Sequence, residues 1–441
     1  MNPASVHSPV PSAALPVSRG GVRWWILALL FGAATISYMD RFLLGVLKPT
    51  LMRDLKWTET DYGNVIFCFQ LAYAVGLLTM GRLIDRLGVR AGLAVVAVTC
   101  AFAAGSHAVA TTVAGFCLAR FALGFGESGT WPGCVKAVGE WFPRKERALG
   151  NGVVNAGSSV GATLTPLIVP LLLQWVAWPL TFLVIAAQDV LWLVLWLCFY
   201  RSPARHPWLK PAERAYIEGD ANPPQGRVSW WQLFRHRQTW AFFLAKGLSD
   251  PVWWFFLFWV PGFLARQYGL DHGTAAGTSD ALALPLMGIY IMAGAGSVAG
   301  GWCSMRLIGR GWSVNRARKT VMLGCALLVV PVCLVPLHIG LWPSVLLLGL
   351  AAASHLGFSA NLFTVATDTV PARAVGSVAG IGGMAAAVFA MFNAKLVGFI
   401  LDTTHSYAIP FAMASVAYLA ALACLHLILP RLEPMILENK S

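Results

Sequence analysis

The sequence predicts an all-α integral membrane protein with twelve transmembrane helices in two six-helix bundles. Hydrophobic residues fill 57% of the 441 positions and charged residues only 12%, a balance too apolar for a soluble globular protein. The apolar residues fall into stretches of about 20 residues or more, the length that crosses a bilayer core as a helix. No segment alternates apolar and polar residues over about ten positions, as membrane barrel strands do.

Twelve such stretches follow one another along the chain. They cover residues 24–46, 61–82, 90–109, 112–138, 147–173, 177–200, 239–264, 283–304, 320–340, 342–368, 376–401 and 407–430. The longest polar segment follows the sixth stretch and divides the stretches into two equal sets. This plan is typical of transporters built from two related halves around a site near the membrane midplane.

The chain is therefore divided into five segments. We predict a disordered cytoplasmic N-terminus at 1–22, an N-terminal bundle at 23–200, a cytoplasmic linker at 201–238, a C-terminal bundle at 239–430 and a cytoplasmic tail at 431–441. Lys and Arg concentrate in both termini and in the even-numbered loops, which places both termini in the cytoplasm. We expect a multi-pass protein of the cell (inner or plasma) membrane.

The net charge of +13 arises from this loop distribution. No basic stripe lies on a soluble domain, so nucleic acid is not an expected partner. The nine cysteines have no paired spacing and are interpreted as small buried residues, not as disulfides or metal ligands. No Gly-x-x-x-x-Gly-Lys-Ser/Thr loop for ATP occurs, so an ion gradient must supply energy for any transport. We expect no cofactor and no metal.

Ionisable side chains interrupt several of the apolar stretches. The most informative are Asp40, Arg41, Arg120, Glu127 and Lys246. Because ionised groups at membrane depth are expensive, they usually line a water-filled path or a polar site. The cluster in the N-terminal half is the best candidate for a functional site.

The spacing of these charges predicts a shared site. Arg120 and Glu127 are seven residues apart, so they lie on one helix face about 10 Å apart along the axis, with Asp40 at about the depth of Arg120. A guanidinium matches a carboxylate as a planar fork. A carboxyl group held out of water without a permanent partner can bind and release protons. The alternative is a set of static ion pairs that fix helix contacts.

Three further ionisable residues occur in the stretches. Lys246 and Asp250 have i,i+4 spacing and can pair on one helix face, which favours a structural role. Asp189 and Lys395 have no obvious partner in the sequence, so each is either a pocket residue or paired across helices.

Gly-x-x-x-Gly pairs at 157/161, 296/300 and 376/380 predict close helix packing.

The loop after the second stretch, GRLIDRLGVR at 81–90, resembles the loop signature of the major facilitator superfamily. Its glycines permit a tight turn, and Asp85 can pair with a helix end or a basic residue to latch the cytoplasmic side. We interpret Gly81, Asp85 and Arg86 as gating residues; the alternative is a solvated turn. The corresponding loop of the second half keeps the bases but lacks the acid.

Longer strings narrow this resemblance. SYMDR at 37–41, ARFALGFGESG at 119–129 and EWFPRKERA at 140–148 resemble the anion:cation symporter branch of the superfamily. DPVWWFFLFW at 250–259, SANLFT at 359–364 and AVGSVAGIGGM at 374–384 are similar to its hexuronate transporters.

The resemblance implies proton-coupled symport of an organic carboxylate by alternating access, most simply of a hexuronate such as galacturonate or glucuronate. It implies that Arg41 grips the substrate carboxylate and that Asp40 and Glu127 bind protons. Arg120 would alternate as a partner for one of these carboxylates, and Tyr38 and Tyr73 would hydrogen-bond substrate oxygens. The alternative substrates are an aldonate, an aldarate or an aromatic acid.

One position departs from the family pattern. Galactonate-type importers carry an amide side chain where this chain has Ser158, which weakens an aldonate assignment and is compatible with the ring form of a uronic acid. Ser359, Asn361 and Thr364 are interpreted as readers of substrate hydroxyls from the C-terminal half. Polar contacts between helices are the equally weighted alternative.

Two other classes of function are alternatives to a transporter. An integral-membrane enzyme would need a His/Asp, Cys/His or metal-spaced cluster near a membrane face, and no such pattern is visible. A transport-dead sensor would bind ligand without flux, but no receptor domain is present. The expected partners are a small carboxylate, protons and membrane lipid, and we expect a monomer.

Overall fold

The computed structural model describes residues 21–218, 230–270 and 281–435. The N-terminus predicted to be disordered, residues 1–22, lies almost wholly outside this range. So do residues 219–229 of the predicted linker and 436–441 of the predicted tail.

The described chain is helical throughout. The first half contains α1 (Val22–Leu55), α2 (Glu59–Ser106), α3 (Val113–Glu127), α4 (Thr130–Trp141), α5 (Arg144–Leu173) and α6 (Trp178–Phe199). A 3-10 turn (Pro203–Arg205) and the short helices α7 (Pro211–Glu218) and α8 (Trp230–Leu233) follow. The second half contains α9 (Arg237–Tyr268), α10 (Ala283–Gly309), α11 (Val314–Val329) continued by a 3-10 segment (Val330–Leu337), α12 (Leu341–Thr369), α13 (Ala372–Thr404) and α14 (Ala408–Ile428).

The helices supply the twelve spans that the sequence predicts. Ten helices of the described chain are long and apolar enough to cross a bilayer, by length and composition. One of them, α2, holds two spans, and α3 with α4 forms a further span for which each helix alone is too short. The prediction of an all-α membrane fold with twelve helices is confirmed.

The chain reverses direction inside α2 at Gly88. This residue has φ 78° and ψ 163°, a conformation that residues with a side chain rarely adopt. Ile84 and Gly92 consequently face each other, and a Cβ on Gly92 would lie 2.9 Å from the Ile84 side chain. The predicted tight turn of the 81–90 loop is therefore located at its second glycine.

The fourth span is broken in the middle, which the continuous apolar stretch 112–138 does not predict. α3 ends at Glu127, and Ser128 and Gly129 form a turn before α4 begins at Thr130. The Ser128 hydroxyl donates a hydrogen bond to the carbonyl of Phe125 at 2.6 Å. The break places Glu127 at a helix end.

Glycines permit close packing within each bundle. Gly157 and Gly161 of α5 lie against the backbone of α1, where a Cβ would collide with carbonyl oxygens. In the second bundle, Gly300 of α10 meets Gly357 of α12 in the same way. The pair at 376/380 differs from the prediction, because open space surrounds both glycines.

The two bundles meet along three helix pairs: α2 with α13, α1 with α9, and α5 with α10. The helix starts of α1, α5 and α9 lie at the same end as residues 201–218, 230–236 and 431–435, and we call this end the linker end. The end where α1 finishes and α2 begins is called the opposite end. The candidate site lies between these two ends, on the face of α1 that is directed toward α3 and α9.

Candidate functional site

A buried ion pair joins the first and fourth spans. Arg41 of α1 donates from Nε and Nη2 to Oε2 of Glu127, at 2.8 and 2.5 Å. Arg41 is 5% exposed and Glu127 1% exposed. Both guanidinium bonds go to one oxygen, and no described residue donates to Oε1. The pair is thus held strongly, yet Glu127 keeps an unused acceptor.

Aromatic rings surround the Arg41 guanidinium. Its Cζ lies 4.9 Å from the Tyr38 ring centre, 5.0 Å from Tyr73, 5.5 Å from Phe69 and 4.9 Å from Trp254. Cations are attracted to such ring faces, more strongly where water is excluded. Trp254 belongs to α9, whereas the other rings belong to α1 and α2, so both bundles contribute to this site.

Arg120 and Asp40 are also brought together, but not as a side-chain ion pair. Arg120 is 1% exposed, and its Nη1 donates to the main-chain carbonyl of Asp40 at 3.4 Å. Its Nε and Nη2 have no hydrogen-bond partner among the described residues. The predicted common face of Arg120 and Glu127 is thus turned toward α1, where it meets Asp40 and Arg41.

A second ion pair lies on α9. Lys246 Nζ is 2.6 Å from Oδ2 of Asp250, as the i,i+4 spacing predicts, and it lies 4.6 Å from the Phe363 ring centre. Asp250 lies about one helical turn before Trp254, whose ring contacts the Arg41 guanidinium. Charged pairs of the two bundles therefore border the same interior region.

The hydroxyl and amide residues predicted to read the substrate are engaged with helix backbone. Ser158 donates to the Asn155 carbonyl at 2.6 Å, and Thr364 to the carbonyls of its own helix. The amide nitrogen of Asn361 donates to Gly357 and, across the helix interface, to Gly300, at 2.9 and 3.0 Å. Its Oδ1 is buried without a partner, and Ser359 is half-buried on α12.

The predicted gating residues lie at the linker end. Gly81 is half-buried, whereas Asp85 and Arg86 are exposed. Asp85 Oδ1 pairs with Lys136 of α4 at 2.9 Å. Because both partners belong to the N-terminal bundle, this contact does not join the bundles.

Sequence reasoning missed an ion-pair cluster at the opposite end. Glu59, at the start of α2, lies 2.7 Å from Lys48 of α1 and 2.9 Å from Arg266 of α9. Lys48 is 1% exposed and Glu59 4% exposed. Lys48 follows Arg41 by seven residues, which was the available signal. It lies beyond the predicted end of the first span, whereas α1 continues to Leu55.

Further hydrogen bonds join the bundles at this end. Asp402 of α13 accepts from the main-chain N–H groups of Glu59 and Thr60 at 2.8 and 2.7 Å, so it satisfies the N-terminus of α2. Lys48 donates to the Tyr407 hydroxyl at 3.2 Å, and the Tyr62 hydroxyl donates to the Phe258 carbonyl at 2.8 Å. The opposite end is therefore closed by contacts between the halves.

Comparison with known proteins shows which family this chain belongs to. The family profile of the Major Facilitator Superfamily matches residues 30–394. The chain is 30% identical over 390 residues to the hexuronate transporter of Escherichia coli (strain K12), covering 87% of this chain and 88% of that protein. It is 32% identical over 256 residues to the galacturonate transporter of Dickeya chrysanthemi, covering 57% of this chain and 74% of that protein.

A solved structure has the same fold. It is a bacterial homologue of the human lysosomal transporter Spinster in an inward-facing and occupied conformation, with a TM-score of 0.69 and 15% identity over 93% of this chain and 96% of that one. The family resemblance read from the sequence motifs is confirmed. The chain belongs to the major facilitator superfamily, and it is a multi-pass membrane transporter, not an enzyme.

Proposed function

We propose that this protein imports an organic carboxylate together with protons, and that the carboxylate is a hexuronate such as galacturonate. The observation that carries the proposal is the Arg41–Glu127 pair inside its aromatic site. The names of the hexuronate and galacturonate transporters to which the chain is similar support the substrate class.

Glu127 and the substrate would compete for one edge of Arg41. Glu127 uses the Nε and Nη2 groups, the pair of donors that a free carboxylate also engages. Protonation of Glu127 removes its charge and weakens this pair, which frees the guanidinium for a substrate anion. Proton binding and substrate binding therefore favour each other, as symport requires.

The surrounding side chains fit a small polar anion. Tyr38 and Tyr73 place phenol groups beside the Arg41 guanidinium, and Trp254 covers it from the other bundle. A substrate held there would contact both halves. Ser158, Ser359 and Thr364 remain the proposed hydroxyl readers, while Asn361 would read a hydroxyl through its unused Oδ1.

Alternating access is supported by the unequal ends of the molecule. The contacts of Glu59 and Asp402 hold the bundles together at the opposite end. With both termini in the cytoplasm of a cell membrane, as the loop charges predict, this state would be closed to the outside. Proton and substrate release would occur at the linker end, where Gly81, Asp85 and Arg86 would act as the gate.

Uptake of galacturonate into proteoliposomes under an imposed pH gradient tests this proposal. Asp40→Asn and Glu127→Gln should each lower gradient-driven accumulation about tenfold or more while some exchange remains, and Arg41→Lys should lose both accumulation and exchange because lysine offers only a point charge. Asp54→Asn, an exposed change at the opposite end, serves as the control. Unchanged accumulation in Glu127→Gln would contradict the proposal that Glu127 is a proton-binding residue.

Competition by other acids tests the substrate assignment separately. An aldonate, an aldarate and an aromatic acid should each displace labelled galacturonate less well than glucuronate does. If one of these acids displaces galacturonate more strongly than glucuronate does, the proposed mechanism still holds, but that acid becomes the proposed substrate.

A further inference from the structure

A second carboxyl group lies against Asp40. Asp189, in the middle of α6, brings its carboxyl group within hydrogen-bonding reach of the Asp40 carboxyl group. Asp40 is 2% exposed and Asp189 6% exposed. Asp189 therefore contacts a residue of the candidate site across helices, and it also lines a small cavity.

These two carboxyl groups have no direct cationic partner among the described residues. Neither oxygen of Asp40, nor Oδ2 of Asp189, has a hydrogen-bond donor among the described residues. In the same part of the chain, no lysine or arginine nitrogen forms an ion pair with either group. Arg120 is near, but it donates to the main-chain carbonyl of Asp40.

Two carboxylates cannot both remain ionised at this separation in a buried site. Mutual repulsion and loss of hydration favour one proton held between them, with one group as donor and the other as acceptor. Such a pair then titrates as a unit with two protonation steps.

A small cavity lies beside Asp189. It has room for about one water molecule and is lined by Ser37, Cys100, Thr130, Asp189 and Trp192, among other side chains. Ser37 also lies beside Glu127. Among the described residues, the charged and titratable groups that face Asp40 and Asp189 are Glu127 and Arg120 from α3 and the Cys100 thiol from α2.

We propose that Asp189 is a third proton-coupling residue, which shares one proton with Asp40 and lets the pair bind and release a second. The inference rests on the proposed proton symport. In the cycle, the pair with one proton takes up a proton from the outside and becomes neutral. It returns that proton to the cytoplasm after substrate release, so the protons balance over one turnover.

Asp189→Asn separates this role from a structural one. The amide can still donate a hydrogen bond to Asp40, so Asp40 stays ionised and one exchanged proton is lost. With the membrane potential clamped at zero and a gradient of one pH unit, each coupled proton multiplies the limiting accumulation ratio about tenfold. The ratio for galacturonate should fall about tenfold, whereas galacturonate exchange without a gradient should persist.

Controls distinguish the failure of this inference from that of the proposed function. Cys100→Ala alters the same cavity without removing a carboxyl group and should keep the wild-type ratio; Asp189→Glu should restore it in part. If the wild type couples protons to uptake and Asp189→Asn keeps the wild-type accumulation ratio, only the proposed role of Asp189 is overturned. A wild type that moves no protons with galacturonate would overturn the proposed function.

A measurement on the wild-type protein remains if the variants fail to fold. Infrared spectroscopy at neutral pH should detect the C=O band of a protonated carboxyl group, because the pair retains one proton. The band should shift in D2O. Absence of such a band would show that both groups are ionised and would overturn the shared proton.

Discussion

The two ends of this transporter are held in different ways. At the opposite end, Arg266 of the second bundle pairs with Glu59 of the first, and Asp402 accepts from the first N–H groups of α2. At the linker end, the ion pairs of the described residues join partners inside one bundle, such as Asp85 with Lys136, or join a bundle to the linker or to the tail, as in Arg237 with Glu433. Charge contacts between bundles are thus concentrated at one end.

This difference shows which charges respond to bundle motion. A contact across the bundles must break when that end opens, whereas a contact within a bundle moves as part of a rigid unit. Burial adds to the contrast, since Lys48 is 1% exposed, whereas the side chains of Asp85 and Lys136 are 51% and 32% exposed. The opposite end should therefore be much more sensitive to mutation.

The largest effect is expected for Glu59→Gln. The variant leaves the Lys48 ammonium and Arg266 without their carboxylate, and removing one partner of a buried pair costs about 3–5 kcal/mol. The state closed at the opposite end should lose population. Pulsed EPR between spin labels at Lys56 and Thr403, exposed positions on the two bundles at this end, should register longer distances.

The matched control for that variant is Asp54→Asn. Asp54 pairs with Arg53 at 2.9 Å at the same end, but both side chains are exposed. Such surface pairs contribute about 0–1 kcal/mol. The label distances should stay as in the wild type, and an equal response in the two variants would remove the distinction between cross-bundle and surface charges.

A smaller effect is expected for Asp402→Ala. This change removes the acceptor for two N–H groups at the start of α2, and loss of a helix cap costs about 0.5–2 kcal/mol. The thermal unfolding midpoint in detergent should fall less than in Glu59→Gln. Asp402→Asn, which keeps one acceptor oxygen, should lie between Asp402→Ala and the wild type. An order reversed between these two variants would argue against capping.

The smallest effect on stability is expected for Asp85→Asn. Its exposed pair with Lys136 contributes about 0–1 kcal/mol, so the unfolding midpoint should hardly change. If Asp85 latches the linker end in the other state, the rate of galacturonate uptake should nevertheless fall. An unchanged uptake rate would contradict the gating role and indicate that the 81–90 loop is only a turn that orients two helices.

Local spacing was sufficient to predict several features of the molecule. Seven-residue spacing placed Arg120 and Glu127 on one face, four-residue spacing placed Lys246 beside Asp250, and the glycine loop located a chain reversal. Each of these depends on helix geometry over a few residues. The family motifs predicted the fold in a similar way, because each motif marks a particular span in the order of the twelve.

Contacts between distant spans could not be predicted in this way. Arg266 and Glu59 are separated by 207 positions in the chain, and no periodicity relates them. Asp40 and Asp189 are on different helices, so their contact depends on how α1 packs against α6. The break after Glu127 is a feature that the span prediction missed, although Ser128, Gly129 and Pro132, which commonly mark turns and helix starts, follow it in the sequence.

Binding of labelled galacturonate to purified protein across a pH series tests the exchange between Glu127 and substrate most directly. In the wild type, affinity should rise as pH falls, because protonation of Glu127 frees Arg41. Glu127→Gln should bind with the affinity of the low-pH wild type and lose most of this dependence. Weaker binding by Glu127→Gln, or a pH dependence equal to that of the wild type, would contradict the exchange.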